Sequence, residues 1–184
     1  MNINAMNLFL SDSSIKRHFE HLREERLRYS ILEKSCPELK GRSISEIVRL
    51  NISKEIKDEA VSKLRYIKSH ECFFNSFAEH QVISENTVKQ YKSKERLLYE
   101  IYSESVERNY GFMYIYLDKQ GNIKWSFEEE GDGSFLCFNP VLALDLFEHT
   151  YFLDYGFEKK LFLRNALAYL NLSSLDKKRE KGYN

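Results

Sequence analysis

Asp145 and His149 stand four residues apart in Ala143-Leu-Asp-Leu-Phe-Glu-His-Thr-Tyr-Phe-Leu-Asp-Tyr155, a run that is otherwise mostly apolar and aromatic. A carboxylate and an imidazole taken into such surroundings are costly unless something pairs with them. A divalent or trivalent first-row transition ion pairs with both, because Asp oxygen and His nitrogen are ordinary ligands for it. The same spacing also describes a short amphipathic helix whose Asp145 and His149 face water. What the remaining histidines, His18, His21, His70 and His80, bring to the pair depends on the elements that carry them.

Ser11-Asp-Ser-Ser14 offers N-cap oxygens, and Ile15, Phe19, Leu22 and Tyr29 follow at helical spacing, which predicts a long first helix. On its wheel His18 lies beside the Ile15, Phe19, Leu22 stripe, while His21 sits near the charged flank. Pro37 and Gly41 end it, and Ser43 caps a short helix through Val48. Ile52 to Tyr66 reads as a solvated helix, and residues 83 to 108 have helical character around Val88, Tyr91, Leu97, Leu98, Ile101 and Tyr102. Alternating rings in Gly111-Phe-Met-Tyr114-Ile-Tyr116-Leu117 predict a strand, Lys119-Gln-Gly-Asn122 a turn, and Ile123 to Phe127 a second strand. Gly131-Asp-Gly133 predicts another turn before a third strand, Ser134 to Phe138, which leads through Pro140 to the opening motif. Phe157 to Leu172 is strongly amphipathic, and the tail from Asp176 to Asn184 is charged enough to be expected to fray.

At 184 residues, with 42% hydrophobic content, the chain suits one compact domain or two closely packed subdomains. Lys plus Arg and Asp plus Glu both number 28, so zero net charge gives no electrostatic reason for a nucleic-acid or anionic-membrane partner. Met1 to Leu10 lacks a basic start followed by an apolar run, and no apolar segment approaches the roughly 20 residues that span a bilayer. A soluble, intracellular protein is expected, cytoplasmic or of the mitochondrial matrix. Cys36, Cys72 and Cys137 are odd in number and form no Cys-x-x-Cys pair, which argues against a disulfide framework or a zinc knuckle. With 13 Phe and 12 Tyr but only 7 Gly and 2 Pro, the chain reads as helix-rich with an aromatic core.

Three segments resemble the iron/manganese superoxide dismutases. Asp145-Leu-Phe-Glu148-His149-Thr-Tyr151-Phe-Leu-Asp154-Tyr155 resembles that family's C-terminal metal signature, Asp-Val-Trp-Glu-His-Ala-Tyr-Tyr-Leu-Asp-Tyr; Ser69-His70-Glu-Cys-Phe-Phe74-Asn75-Ser-Phe-Ala78 resembles its Asn-His-Thr-Phe-Tyr-Trp-Asn-x-Leu-Ala; and Ser11, Ile15 and His18, with Lys40-Gly-Arg-Ser-Ile-Ser-Glu-Ile47 further on, fall without a gap on its N-terminal segment. The resemblance implies an α+β fold: an N-terminal long-helix hairpin over residues 1–82, then an α/β domain over residues 83–184 with a small three-stranded antiparallel sheet flanked by helices. It implies one Fe or Mn ion per chain, with His18, His70, Asp145 and His149 as ligands. Glu148 is implied to bridge to a partner's His in a homodimer, with Tyr114, Phe147 and Phe74 surrounding the site. The implied activity is conversion of superoxide to hydrogen peroxide and oxygen.

His21 with Tyr29 competes with His18 for the first position, because the family places an active-site Tyr eight residues after the ligand His and only this pair keeps the spacing. In the His18 register that Tyr is Arg26, the His four residues on is Leu22, and the Tyr that pairs with it across the dimer is Phe152. The family's solvent-binding Gln falls on Tyr66 or, approximately, Gly131, so neither route supplies it, and the site's Trp residues become Phe74, Tyr114 and Phe147. All four implied ligands are kept while their surroundings are rewritten. Two alternatives therefore stand beside a dismutase: a non-catalytic dismutase-like subunit of a larger assembly, and a metal-dependent oxidoreductase for another anion, drawn by Arg26.

Overall fold

The computed structural model describes residues 3–80, 83–128 and 140–181. After a short helix α1 (Ile3–Met6), the Ser11 hydroxyl caps the long helix α2 (Asp12–Ser35) by accepting the Ser14 N–H at 3.2 Å. Ser43 caps α3 (Ile44–Ile47) through a capping box, its hydroxyl accepting the Glu46 N–H while Glu46 Oε2 accepts the Ser43 N–H at 2.8 Å. The helix expected over 52–66 runs further, as α4 (Lys54–Phe74). Its charged first half and its aromatic end share one buried stripe of Ala60, Leu64, Ile67, His70 and Phe74, so there is no boundary where the resemblance begins.

Between 83 and 108 the chain is not one helix. It forms α5 (Glu85–Val88), a 3-10 turn through Tyr91, and α6 (Lys94–Val106), broken at Lys92 by its left-handed backbone with φ of 69° and restarted by the Ser93 cap. Strands β1 (Phe112–Leu117) and β2 (Ile123–Glu128) follow with the expected turn between them. The expected strand 134–138 and the turn at Gly131 lie outside the described residues. Among the described residues the third strand is β3 (Leu142–Asp145), which takes the first part of the opening motif and pairs antiparallel with β1, giving the sheet order β2-β1-β3. Four consecutive buried residues, Leu142 to Asp145, make it a fully covered strand.

Helix α7 (Glu148–Tyr155) carries the rest of the motif, then come α8 (Lys159–Ala168) and α9 (Ser173–Glu180). The tail does not fray from Asp176. Leu175 is buried, and the Asp176 carboxylate accepts hydrogen bonds from the Ser84 N–H at 2.9 Å and the Ser84 hydroxyl at 2.5 Å, and from the Thr87 hydroxyl. Long-range ionic and cap contacts of this kind leave no periodic trace in a sequence. Helix α4 packs on α2 and on β3, and α7 packs on α2. Among the described residues no helix is long and apolar enough to cross a membrane.

Candidate metal centre

Four elements deliver one side chain set to a single point. On α2 His18 shares the buried stripe of Ile15, Leu22 and Tyr29; on α4 His70 shares that of Ile67 and Phe74; Asp145 ends β3; and His149 occupies the first turn of α7. His18 and His70 are 2% and 0% exposed and Asp145 is 0% exposed, whereas the His149 side chain is 35% exposed. From Asp145 Oδ2 the Nε2 atoms of His18, His149 and His70 lie 3.1, 3.4 and 3.6 Å away. All four donor atoms fall within 4.8 Å of one another.

His21 does not join them. It is exposed and lines a cleft between α2 and α4 with Glu25, Lys63 and Tyr66, its ring 6.2 Å from that of His149. His80 is also exposed and outside the group. Arg26 is half-exposed and pairs with Glu71 at 2.8 Å, so it offers the site no free cation.

Two backbone groups aim the lone pairs of His70 and Asp145 inward. His70 Nδ1 lies 2.8 Å from the Tyr66 carbonyl, the contact that makes Nδ1 the protonated nitrogen and leaves Nε2 an acceptor. Asp145 Oδ1 accepts the Phe147 N–H at 3.0 Å, which leaves Oδ2 facing the imidazoles. Among the described residues His18 Nε2, His70 Nε2 and Asp145 Oδ2 are buried and make no hydrogen bond of sound geometry, so the 3.1 Å approach of His18 to Asp145 is proximity without alignment. A buried polar atom without a partner costs about 1–3 kcal/mol, so three around one point form an arrangement that calls for something between them. The donor set therefore fits one transition ion.

Electrostatics agree. Burial, partly offset by Asp145, pulls His70 down to about 4, so its imidazole is neutral at neutral pH. Burial alone would raise the Asp145 carboxyl, but the His149 and His18 imidazoles hold it well below the usual carboxylate range. Burial likewise opposes a charge on His149, yet Asp145 raises its pKa.

Rings line the cluster. Phe73 and Phe74 stand 5.3 and 5.4 Å from His18, and Phe74 stacks on Phe19 at 4.1 Å. Phe112 meets His70 edge-on at 5.1 Å, and Phe147 stacks on His149 at 5.5 Å. Tyr114 sits one layer back, stacked on Phe112 at 5.9 Å. Glu148 is exposed beside His149. Sequence reasoning missed Phe73 and Phe112 as walls, although both lie in quoted motifs, and it missed Glu128, which nothing in the sequence marks as buried.

A largely buried cluster of three imidazoles and one carboxylate, joined from two long helices and a strand-to-helix junction, is a donor set that could hold one metal ion. The family model described as iron/manganese superoxide dismutases, C-terminal domain, matches residues 79–178. That is more than half of the chain, and the protein belongs to the iron/manganese superoxide dismutase family. Asp145 and His149 lie inside the match, while His18 and His70 precede it. No curated protein matches the chain.

Proposed function

We propose that this chain is a superoxide dismutase that binds one Fe or Mn ion through His18, His70, Asp145 and His149. The observation that supports it is the convergence of those four donor atoms within 4.8 Å. Iron or manganese, when bound, supplies one-electron chemistry, oxidising one superoxide to oxygen and reducing the next, with two protons, to hydrogen peroxide.

The chain's own residues hold and shield that centre. Tyr66 and Phe147, through their backbone groups, fix which His70 nitrogen and which Asp145 oxygen face it. Phe73, Phe74 and Phe112 exclude water from the buried side. The edge of His149 is the open side. Arg17, one residue before His18 and exposed, is a cation whose charge acts on His149, the sign that draws an anion. Leu22 and Arg26 bring no proton-carrying side chain to the site, since Leu22 is buried and apolar and Arg26 is engaged at the surface.

A homodimer across the same edge is part of the proposal. Glu148 is exposed there, and Phe152 and Phe157, in ring contact at 5.3 Å, are both exposed on the adjoining α7–α8 face. The missing proton carriers favour a second reading, a metal-bound subunit without turnover. Protein produced with Mn or with Fe is tested for bound metal and for inhibition of superoxide-driven cytochrome c reduction. Metal with activity supports the dismutase, metal without activity supports the second reading, and neither metal nor activity overturns both.

A further inference from the structure

Behind the cluster runs a buried polar chain that the motifs do not predict. Phe112 on β1 pairs in register with Glu128 on one side and Asp145 on the other, so the two carboxylates project from one face of the sheet, with Cα atoms roughly 10 Å apart. Tyr114, two residues along β1, faces the same way. From α4, Arg65 and Ser69, one turn apart, come down on this row. The Tyr114 hydroxyl donates to Glu128 Oε2 at 2.6 Å and meets the Ser69 hydroxyl at 2.6 Å, while Arg65 Nε stands 2.9 Å from Glu128 Oε1 as an ion pair without hydrogen-bond alignment. Ser69 also reaches back to the Arg65 carbonyl at 2.8 Å. Glu128 is 6% exposed, and Tyr114 and Ser69 are fully enclosed.

A buried ion pair of this kind adds little to stability, because apolar residues of the same volume often do as well or better. What it does set is position. Sheet and helix are tied at both ends of the α4 turn that precedes His70, and the sheet also carries Asp145. The widest of the donor separations around Asp145, 3.6 Å to His70 Nε2, is the one that spans these two elements.

The structure assigns Glu128 and Tyr114, acting through Arg65 and Ser69, as positioning residues that hold His70 at its coordinating distance from Asp145. This rests on the metal reading above. Loss of an outer partner bonded directly to a ligand typically weakens metal binding or activity about 10 to 100-fold, and a clamp that acts one residue further out falls at the low end of that range.

The test compares Tyr114→Phe, Glu128→Gln and Ser69→Ala with the unaltered chain. Tyr91→Phe is the control, because its hydroxyl bonds the Ile123 carbonyl at 3.1 Å, away from the cluster. Mn affinity is read by chelator competition, the ligand field by electron paramagnetic resonance, and folding by thermal unfolding without metal. Tyr114→Phe and Glu128→Gln are expected to weaken Mn binding by about tenfold and to alter the spectrum, with the double variant no worse than the more affected single one. Tyr91→Phe is expected to lower the melting temperature alone. If Glu128→Gln fails to fold, Tyr114→Phe and Ser69→Ala, which each delete one oxygen, decide the question. An unaltered chain that loads Mn while these variants match it in affinity and spectrum overturns the clamp alone. A chain that takes up neither Mn nor Fe overturns the metal reading and the clamp with it.

Discussion

Asp145→Asn is a substitution that should abolish the chain's stabilisation by metal. The amide carbonyl can keep the Phe147 N–H bond that Asp145 Oδ1 now accepts at 3.0 Å. The amide nitrogen then takes the place of Oδ2, 3.1, 3.4 and 3.6 Å from three imidazole nitrogens. There it presents N–H donors to lone pairs and has none of its own to give an ion. Without metal the cluster gains a donor but loses the charge that His149 and His18 stabilise, so some stability should be lost in the metal-free chain as well. With metal the two proteins should part further. An ion at about 100 times its Kd stabilises the folded chain by about 2.7 kcal/mol. For a domain of 184 residues that corresponds to a rise of about 5–11 °C in melting temperature. Thermal unfolding of both proteins, with and without Mn, is the assay. The parent should show the rise and Asp145→Asn should show none. An equal rise in both would refute the role given to Oδ2.

Other perturbations act on the frame. Ser76→Ala removes the hydroxyl that accepts the buried Ala143 N–H at 2.7 Å and donates to the Cys72 carbonyl at 2.8 Å, so urea unfolding should show a loss of about 1–3 kcal/mol. Asp176→Asn tests the tail through pH: burial opposes it, but Ser84 and Thr87 lower the Asp176 carboxyl, so its stabilisation is full above the ordinary carboxylate range and lost as pH falls below it. Melting temperature across that range should fall less steeply in the variant. Arg26→Ala should change stability by less than about 1 kcal/mol and leave metal content unaltered, since its pairing with Glu71 is exposed; loss of metal would return Arg26 to the site.

Much of the frame was legible because local rules and tertiary need agree. Ser11, Ser43 and the Phe112 to Leu117 alternation announced α2, α3 and β1, and the stripe of Ile15 and Leu22 put His18 rather than His21 on the buried face. The misses share a cause in long-range contact. Nothing local says that Leu142 to Asp145 is covered on both faces, and it reads equally as the lead into a helix. The tail looks solvated until Asp176 meets Ser84 across 92 residues. Glu128 looks like the polar end of an amphipathic strand until Arg65 and Tyr114 enclose it. The resemblance pointed to the four ligand candidates, but the lone-pair directions of His70 and Asp145 depend on the Tyr66 carbonyl and the Phe147 amide, backbone groups that no motif spells.

The most direct measurement is an anomalous difference map, recorded on either side of the Mn and Fe absorption edges, from crystals of protein grown with those metals. One peak per chain is predicted, about 2 Å from His18 Nε2, His70 Nε2, His149 Nε2 and Asp145 Oδ2. No peak at that point, or a peak held by other side chains while these four stay apart, would contradict the account.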